Sequence, residues 1–128
     1  GAPAARPARV RTQLRDRLFE LLVEKIPGVE MNGHPRQRLP NNLNVVIPGI
    51  NSRALVVQLK HTVAISTGSA CATAKVEPSH VLIALGFTVE HAYNSIRFGL
   101  GNGNTMDDVE FVATEVARSV DRLRRLSR

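Results

Sequence analysis

Apolar residues return every three or four positions between Val10 and Ile26, with Leu14, Leu18, Leu21 and Leu22 on one line and Phe19, Val23 and Ile26 widening it. This period predicts an amphipathic helix that begins soon after Pro7 and is ended by Pro27-Gly28. A loop rich in Gly, Pro, Asn and Arg runs from Glu30 to Asn42, and Leu43-Asn44-Val45-Val46-Ile47 then reads as a strand stopped by Pro48-Gly49. Asn51 or Ser52 is placed to cap a second helix carrying Ala54, Leu55, Val56 and Leu59. The short apolar run Val63-Ala64-Ile65-Ser66 reads as a buried strand, and the small, uncharged residues Thr67 to Ala74 as a mobile loop. Pro78 suits the first turn of a helix running through Val81, Leu82 and Leu85 to a stop at Gly86. Ser95-Ile96-Arg97-Phe98-Gly99 reads as a third strand. After the turn Gly101 to Asn104, Thr105 caps a last helix with Asp107 and Asp108 in its first turn and a stripe of Val109, Val112, Ala113, Val116, Val120 and Leu123. The basic end of that helix (Arg118, Arg122, Arg124, Arg125) reads as solvated and as complementing the helix dipole. The order α-β-α-β-α-β-α predicts an α/β (α+β) fold, a small three-stranded sheet with helices packed on it.

Length and composition narrow this without changing it. The chain has 128 residues, 43% hydrophobic and 22% charged, which suits one domain with one modest core and excludes a disordered chain. Its longest purely apolar stretch, Val81 to Leu85, is far too short to cross a bilayer, so no membrane association is expected. One cysteine rules out an internal disulfide, and a reducing, cytoplasmic setting fits best. Residues 1–9 read as a flexible leader, a cloning remnant or the cut edge of a longer polypeptide, and 10–128 as the domain. The net charge of +6 needs locating before it is interpreted. Residues 1 to 40 carry 8 basic and 4 acidic groups, and much of that excess sits in Arg6, Arg9 and Arg11. The aromatics are not interleaved with basic residues as a stacking platform requires, so weak attraction to polyanions is expected and specific nucleic-acid binding is not.

Two residues stand out chemically. Cys71 lies alone among small residues, where a partner could reach it; most free cysteines are instead buried as small hydrophobes, and composition does not separate the two readings. Reactivity needs the thiolate, and an unperturbed thiol of pKa about 8.5 is only a few per cent ionised near neutral pH. Arg97 is the only charge in its strand, and its planar fork can take a carboxylate in two parallel hydrogen bonds. Pairing with Glu77 or Glu90, or snorkelling to solvent, is the plainer alternative. The glycines of Gly99-Leu100-Gly101-Asn102-Gly103-Asn104 fail the dinucleotide fingerprint, because position 104 is not glycine, and lack a P-loop lysine. His34, His61, His80 and His91 fall at no metal-ligand spacing and read as ordinary surface or core residues.

Ser66-Thr67-Gly68-Ser69-Ala70-Cys71 closely resembles the active-site cysteine loop of group I (NifS/IscS-like) cysteine desulfurases, pyridoxal-phosphate enzymes of the class V aminotransferase family. The resemblance extends to Arg38-Leu39-Pro40-Asn41-Asn42-Leu43-Asn44-Val45, to Glu77-Pro78-Ser79-His80-Val81-Leu82 with Ala84-Leu85-Gly86, and to Ser95-Ile96-Arg97-Phe98. It covers residues from about Leu14 to Leu126 and implies the C-terminal small domain of a fold-type I pyridoxal-phosphate enzyme.

The resemblance also implies roles. Cys71 would be the nucleophile that takes sulfur from L-cysteine as a persulfide and releases L-alanine, and Arg97 the clamp for the substrate carboxylate. Cofactor-binding residues are expected to lie outside this chain: its only lysines are Lys25, Lys60 and Lys75, none in the Ser/Thr-His-Lys setting of the family. The domain alone is therefore expected to be inactive without a large domain that binds pyridoxal 5'-phosphate. Expected partners are that domain, a second copy in a full-length homodimer, and acceptors such as an iron-sulfur scaffold or a tRNA or DNA thiolation system. Asn102 departs from the family, which commonly has arginine there. Competing readings are a stand-alone persulfide carrier or scaffold-docking module, and a selenocysteine lyase domain, whose substrate presents the same carboxylate.

Overall fold

The structure is a computed structural model and describes residues 8–32, 42–67, 75–78, 88–100 and 103–126. In chain order the elements are α1 (Ala8–Lys25), β1 (Glu30–Met31), β2 (Asn42–Val46), α2 (Ser52–Thr67), β3 (Lys75–Pro78), α3 (Val89–Tyr93), β4 (Ser95–Gly99) and α4 (Met106–Leu126). The strands form one antiparallel sheet in the order β1-β2-β4-β3. Leu43 and Val45 of β2 stand opposite Phe98 and Ile96 of β4, and all four are buried. Against them pack Leu14, Leu18 and Leu22 of α1 with Ile26 just past its end, Leu55 and Leu59 of α2, and Val109, Val112, Val116 and Val120 of α4. This is a two-layer α/β arrangement with one core between sheet and helices.

The helix stripes fall largely where periodicity puts them. In α1 the exception is Val23, 47% exposed, because one step from Leu22 turns the side chain about 100° off the buried line. Asn51 Oδ1 accepts from the backbone N–H groups of Arg53 (3.0 Å) and Ala54 (3.3 Å), which is the expected cap of α2. At α4 the Asp108 N–H donates to Thr105 Oγ1 (3.2 Å), and the Thr105 N–H donates to Asp108 Oδ2 (2.9 Å), a reciprocal cap that ties down two otherwise orphaned donors.

Three expectations are corrected. Val63 to Ser66 belong to α2, not to a strand: no Gly or Pro interrupts the chain between Leu59 and Thr67, so the helix continues, and a four-residue apolar run has no period that tells strand from buried helix. Lys75–Pro78 forms the strand instead, and Pro78 closes it rather than opening a helix. A proline is tolerated there because β3 is an edge strand, where an N–H can be dispensed with. Among the described residues the two-residue β1 gives the sheet a fourth strand where three were expected. Of the expected leader 1–9, Ala8 and Arg9 belong to α1, whereas residues 1–7, the expected helix through Val81 to Leu85 and the turn residues Gly101 and Asn102 lie outside the described residues.

The basic end of α4 is not simply solvated. Arg125 pairs with Asp121 at 2.8 Å, and Arg124 Nη2 donates to the carbonyl oxygens of Pro27 (3.3 Å) and Pro48 (3.2 Å). Each of those prolines precedes a glycine with positive φ, 87° at Gly28 and 77° at Gly49, a conformation open to glycine because it has no Cβ. One guanidinium thus joins the two Pro-Gly turns that end α1 and β2.

Candidate functional site

Strand alternation gives the sheet two unlike faces. One carries Leu43, Val45, Ile96 and Phe98 into the core; the other carries Asn42, Asn44, Ser95, Arg97 and Gly99. Arg97 is half-buried there, with Asn44 of β2 and Glu77 of β3 as its register partners. The backbone alone therefore brings Arg97 between two polar positions that are 33 residues apart in the chain. Glu90, the other carboxylate considered for Arg97, lies on α3.

A hydrogen-bonded cluster flanks Arg97. Asn32, just past β1, donates from Nδ2 to Asn44 Oδ1 (3.1 Å) and to Ser95 Oγ (3.1 Å), and its backbone N–H donates to the Asn44 carbonyl (2.8 Å). Ser95 Oγ donates to the His91 carbonyl at 2.6 Å, and His91 Nε2 lies 2.6 Å from Asn32 Oδ1. Asn32 and Ser95 are buried, and such groups are stable only when their hydrogen bonds are met, as here. Sequence reasoning left His91 as an ordinary residue and did not single out Asn32, Asn44 or Ser95. The alternating polar positions of β2 and β4 hint at a polar face, but nothing local ties Asn32 to a serine 63 positions away.

A cavity of about 300 Å³ opens beside this cluster, lined by Glu30, Val46, Pro48, Thr88, Glu90, His91 and Asn94. Among the described residues two carboxylates and no lysine or arginine line it, a charge unsuited to an anionic substrate group, and Arg97 is not part of that lining. Among the described residues no cluster of His, Cys, Asp or Glu is arranged to hold a metal, and no helix is long and apolar enough to cross a membrane. Lys60 stands exposed on α2 and Lys25 exposed at the end of α1, so neither fits the enclosed setting that a covalently held aldehyde cofactor needs. Cys71 and its neighbours 68–74 lie outside the described residues.

The fold and this face define a small α/β domain, helices on one side of an antiparallel sheet and a half-buried arginine on the other. The chain belongs to the aminotransferase class-V family, whose model matches residues 4–112. It is 45% identical over 120 residues to the cysteine desulfurase IscS of Methanosarcina thermophila, covering 93% of this chain and 30% of that protein. It is 39% identical over 116 residues to a cysteine desulfurase of Mus musculus, covering 91% of this chain and 25% of that protein. A solved NifS-like protein from Rickettsia africae superposes with a TM-score of 0.69 at 26% identity, covering 89% of this chain and 29% of that one. The chain thus spans between a quarter and a third of the length of these relatives.

Proposed function

We propose that this chain is the small domain of a cysteine desulfurase and that it works with a large domain holding pyridoxal 5'-phosphate. The observation that carries the reading is Arg97, a half-buried guanidinium on the open face of the sheet, in a chain 45% identical to a cysteine desulfurase over 93% of its length. Its fork would take the carboxylate of L-cysteine in a bidentate grip. Cys71 would receive the substrate sulfur: its thiolate attacks, and a sulfur-sulfur bond forms as the substrate carbon-sulfur bond breaks. The electron pair of that bond goes with the carbon, for which the large domain's cofactor would serve as electron sink, and the carbon skeleton takes up a proton and leaves as L-alanine.

Chain geometry supports the pairing of these two residues. Lys75 is four residues on from Cys71 and pairs with Gly99, two residues from Arg97. Four residues of chain reach at most about 14 Å, so the sequence separation lets Cys71 approach β4, in whose middle Arg97 stands. The cofactor chemistry belongs to the large domain. From Cys71 the sulfur passes to an acceptor, with an iron-sulfur scaffold or a tRNA or DNA thiolation system as the acceptor class. The complete enzyme acts as a homodimer in the cytoplasm.

Mixing this chain with the cofactor-binding domain, pyridoxal phosphate and L-cysteine tests the reading. The expected result is alanine formation with one added sulfur atom on Cys71, seen by mass spectrometry, and loss of that adduct in Cys71→Ser. Sulfur on another residue, or undiminished sulfide release from Cys71→Ser, overturns it.

A further inference from the structure

We infer that Asn32 is a positioning residue for Arg97, acting through the hydrogen-bonded cluster that it closes with Asn44, Ser95 and His91. The inference rests on the reading of Arg97 as the substrate-carboxylate clamp and adds a residue to it.

Donor and acceptor roles in the cluster follow from one fixed end. The His91 carbonyl can only accept, so Ser95 spends its single O–H on it at 2.6 Å. Ser95 Oγ must then accept from Asn32, which puts the Nδ2 end of the Asn32 amide toward Ser95 and also toward Asn44 Oδ1. Both Asn32 N–H bonds are thereby used, and its Oδ1 faces His91 Nε2 at 2.6 Å. Asn32 Oδ1 carries no hydrogen, so His91 Nε2 must carry one. That condition holds for both the neutral Nε2–H tautomer and the imidazolium, so the cluster keeps one arrangement whether or not His91 is charged.

The cluster's placement gives it a consequence for Arg97. Asn44 is the register partner of Arg97 across β2, and Ser95 precedes it by two positions on the same face of β4. One buried amide therefore fixes two neighbours that border the Arg97 side chain, on different strands, while its backbone N–H holds β1 to β2 through the Asn44 carbonyl. A bidentate grip on a carboxylate depends on the fork's orientation, so loosening these neighbours weakens substrate binding more than it slows the chemistry.

The test uses the complete enzyme, this chain together with its cofactor-binding domain, and the variants Asn32→Asp and Ser95→Ala. Asn32→Asp keeps the shape and the acceptor facing His91 but removes both donors. In variants whose circular dichroism and melting show a folded protein, KM for L-cysteine is expected to rise about fivefold, the scale of one net hydrogen bond, with kcat nearly unchanged. Nitrogen NMR of labelled histidine in the unaltered protein is expected to show a proton on Nε2 of His91. An unmoved KM in folded Asn32→Asp and Ser95→Ala, or a His91 protonated on Nδ1 alone, overturns the positioning role and leaves the desulfurase reading standing. No turnover of L-cysteine by the unaltered enzyme overturns both.

Discussion

Arg97 sits on a strand whose alternate residues, Ile96 and Phe98, are sealed in the core, and this fixes which way the guanidinium can face. A lysine there would keep the charge but lose the planar fork that matches a carboxylate with two parallel bonds. Under the proposed role of Arg97 as carboxylate clamp, Arg97→Lys in the complete enzyme is expected to raise KM for L-cysteine by about tenfold, with Arg97→Ala worse, in steady-state measurements of alanine formation. An Arg97→Lys enzyme with wild-type KM would show that the carboxylate is held elsewhere. Arg97 was legible in the sequence because a lone charge in a strand is conspicuous. Asn32 was not, because a short amide in a polar loop looks like any turn residue until the fold sets it against Asn44 and Ser95.

At the scale of elements, local chemistry decided the ends of helices and cooperative packing decided their extent. Asn51 and Thr105 cap α2 and α4 through contacts two to three residues away, so their roles could be read from neighbouring residues. The junction made by Arg124 could not, since it draws together the ends of α1, β2 and α4, which are distant in the chain. Arg124→Ala is expected to cost about 1 kcal/mol, the net worth of a modest pair of partly solvated hydrogen bonds. On a domain of this size that lowers Tm by about 4 °C, measurable by calorimetry. Arg122→Ala is the control and should leave Tm nearly unchanged, as a substitution on the exposed surface of α4 does.

For the whole molecule, the core between sheet and helices is the common support of every feature above. Phe98 is completely buried and packs with α1, α2 and α4 on the face opposite Arg97. Phe98→Ala is expected to cost about 3 to 5 kcal/mol, through lost burial and a cavity that neighbouring strands cannot close. Val57, 69% exposed on α2, should cost less than about 0.5 kcal/mol when replaced by alanine. Urea denaturation followed by circular dichroism distinguishes the two, with equal losses at both positions contradicting a core confined to the helix side of the sheet.

Periodicity along the chain by itself determined α1, α4 and the strands β2 and β4, and neighbouring residues determined their caps and the two Pro-Gly turns, because those signals act over a few positions. Charge and placement singled out Arg97 in the same way. Tertiary structure alone decided that Val63 to Ser66 continue a helix and that Lys75–Pro78 is the strand beside β4, since a short apolar run is compatible with either form until its neighbours select one. It alone joined Asn32, Asn44, Ser95 and His91 into one cluster, with Asn44 opposite Arg97. The bond from Ser95 to the His91 carbonyl spans four residues, but those that Asn32 makes to Asn44, Ser95 and His91 join residues far apart in the chain, leave no local pattern, and come within 3.1 Å only in the folded sheet.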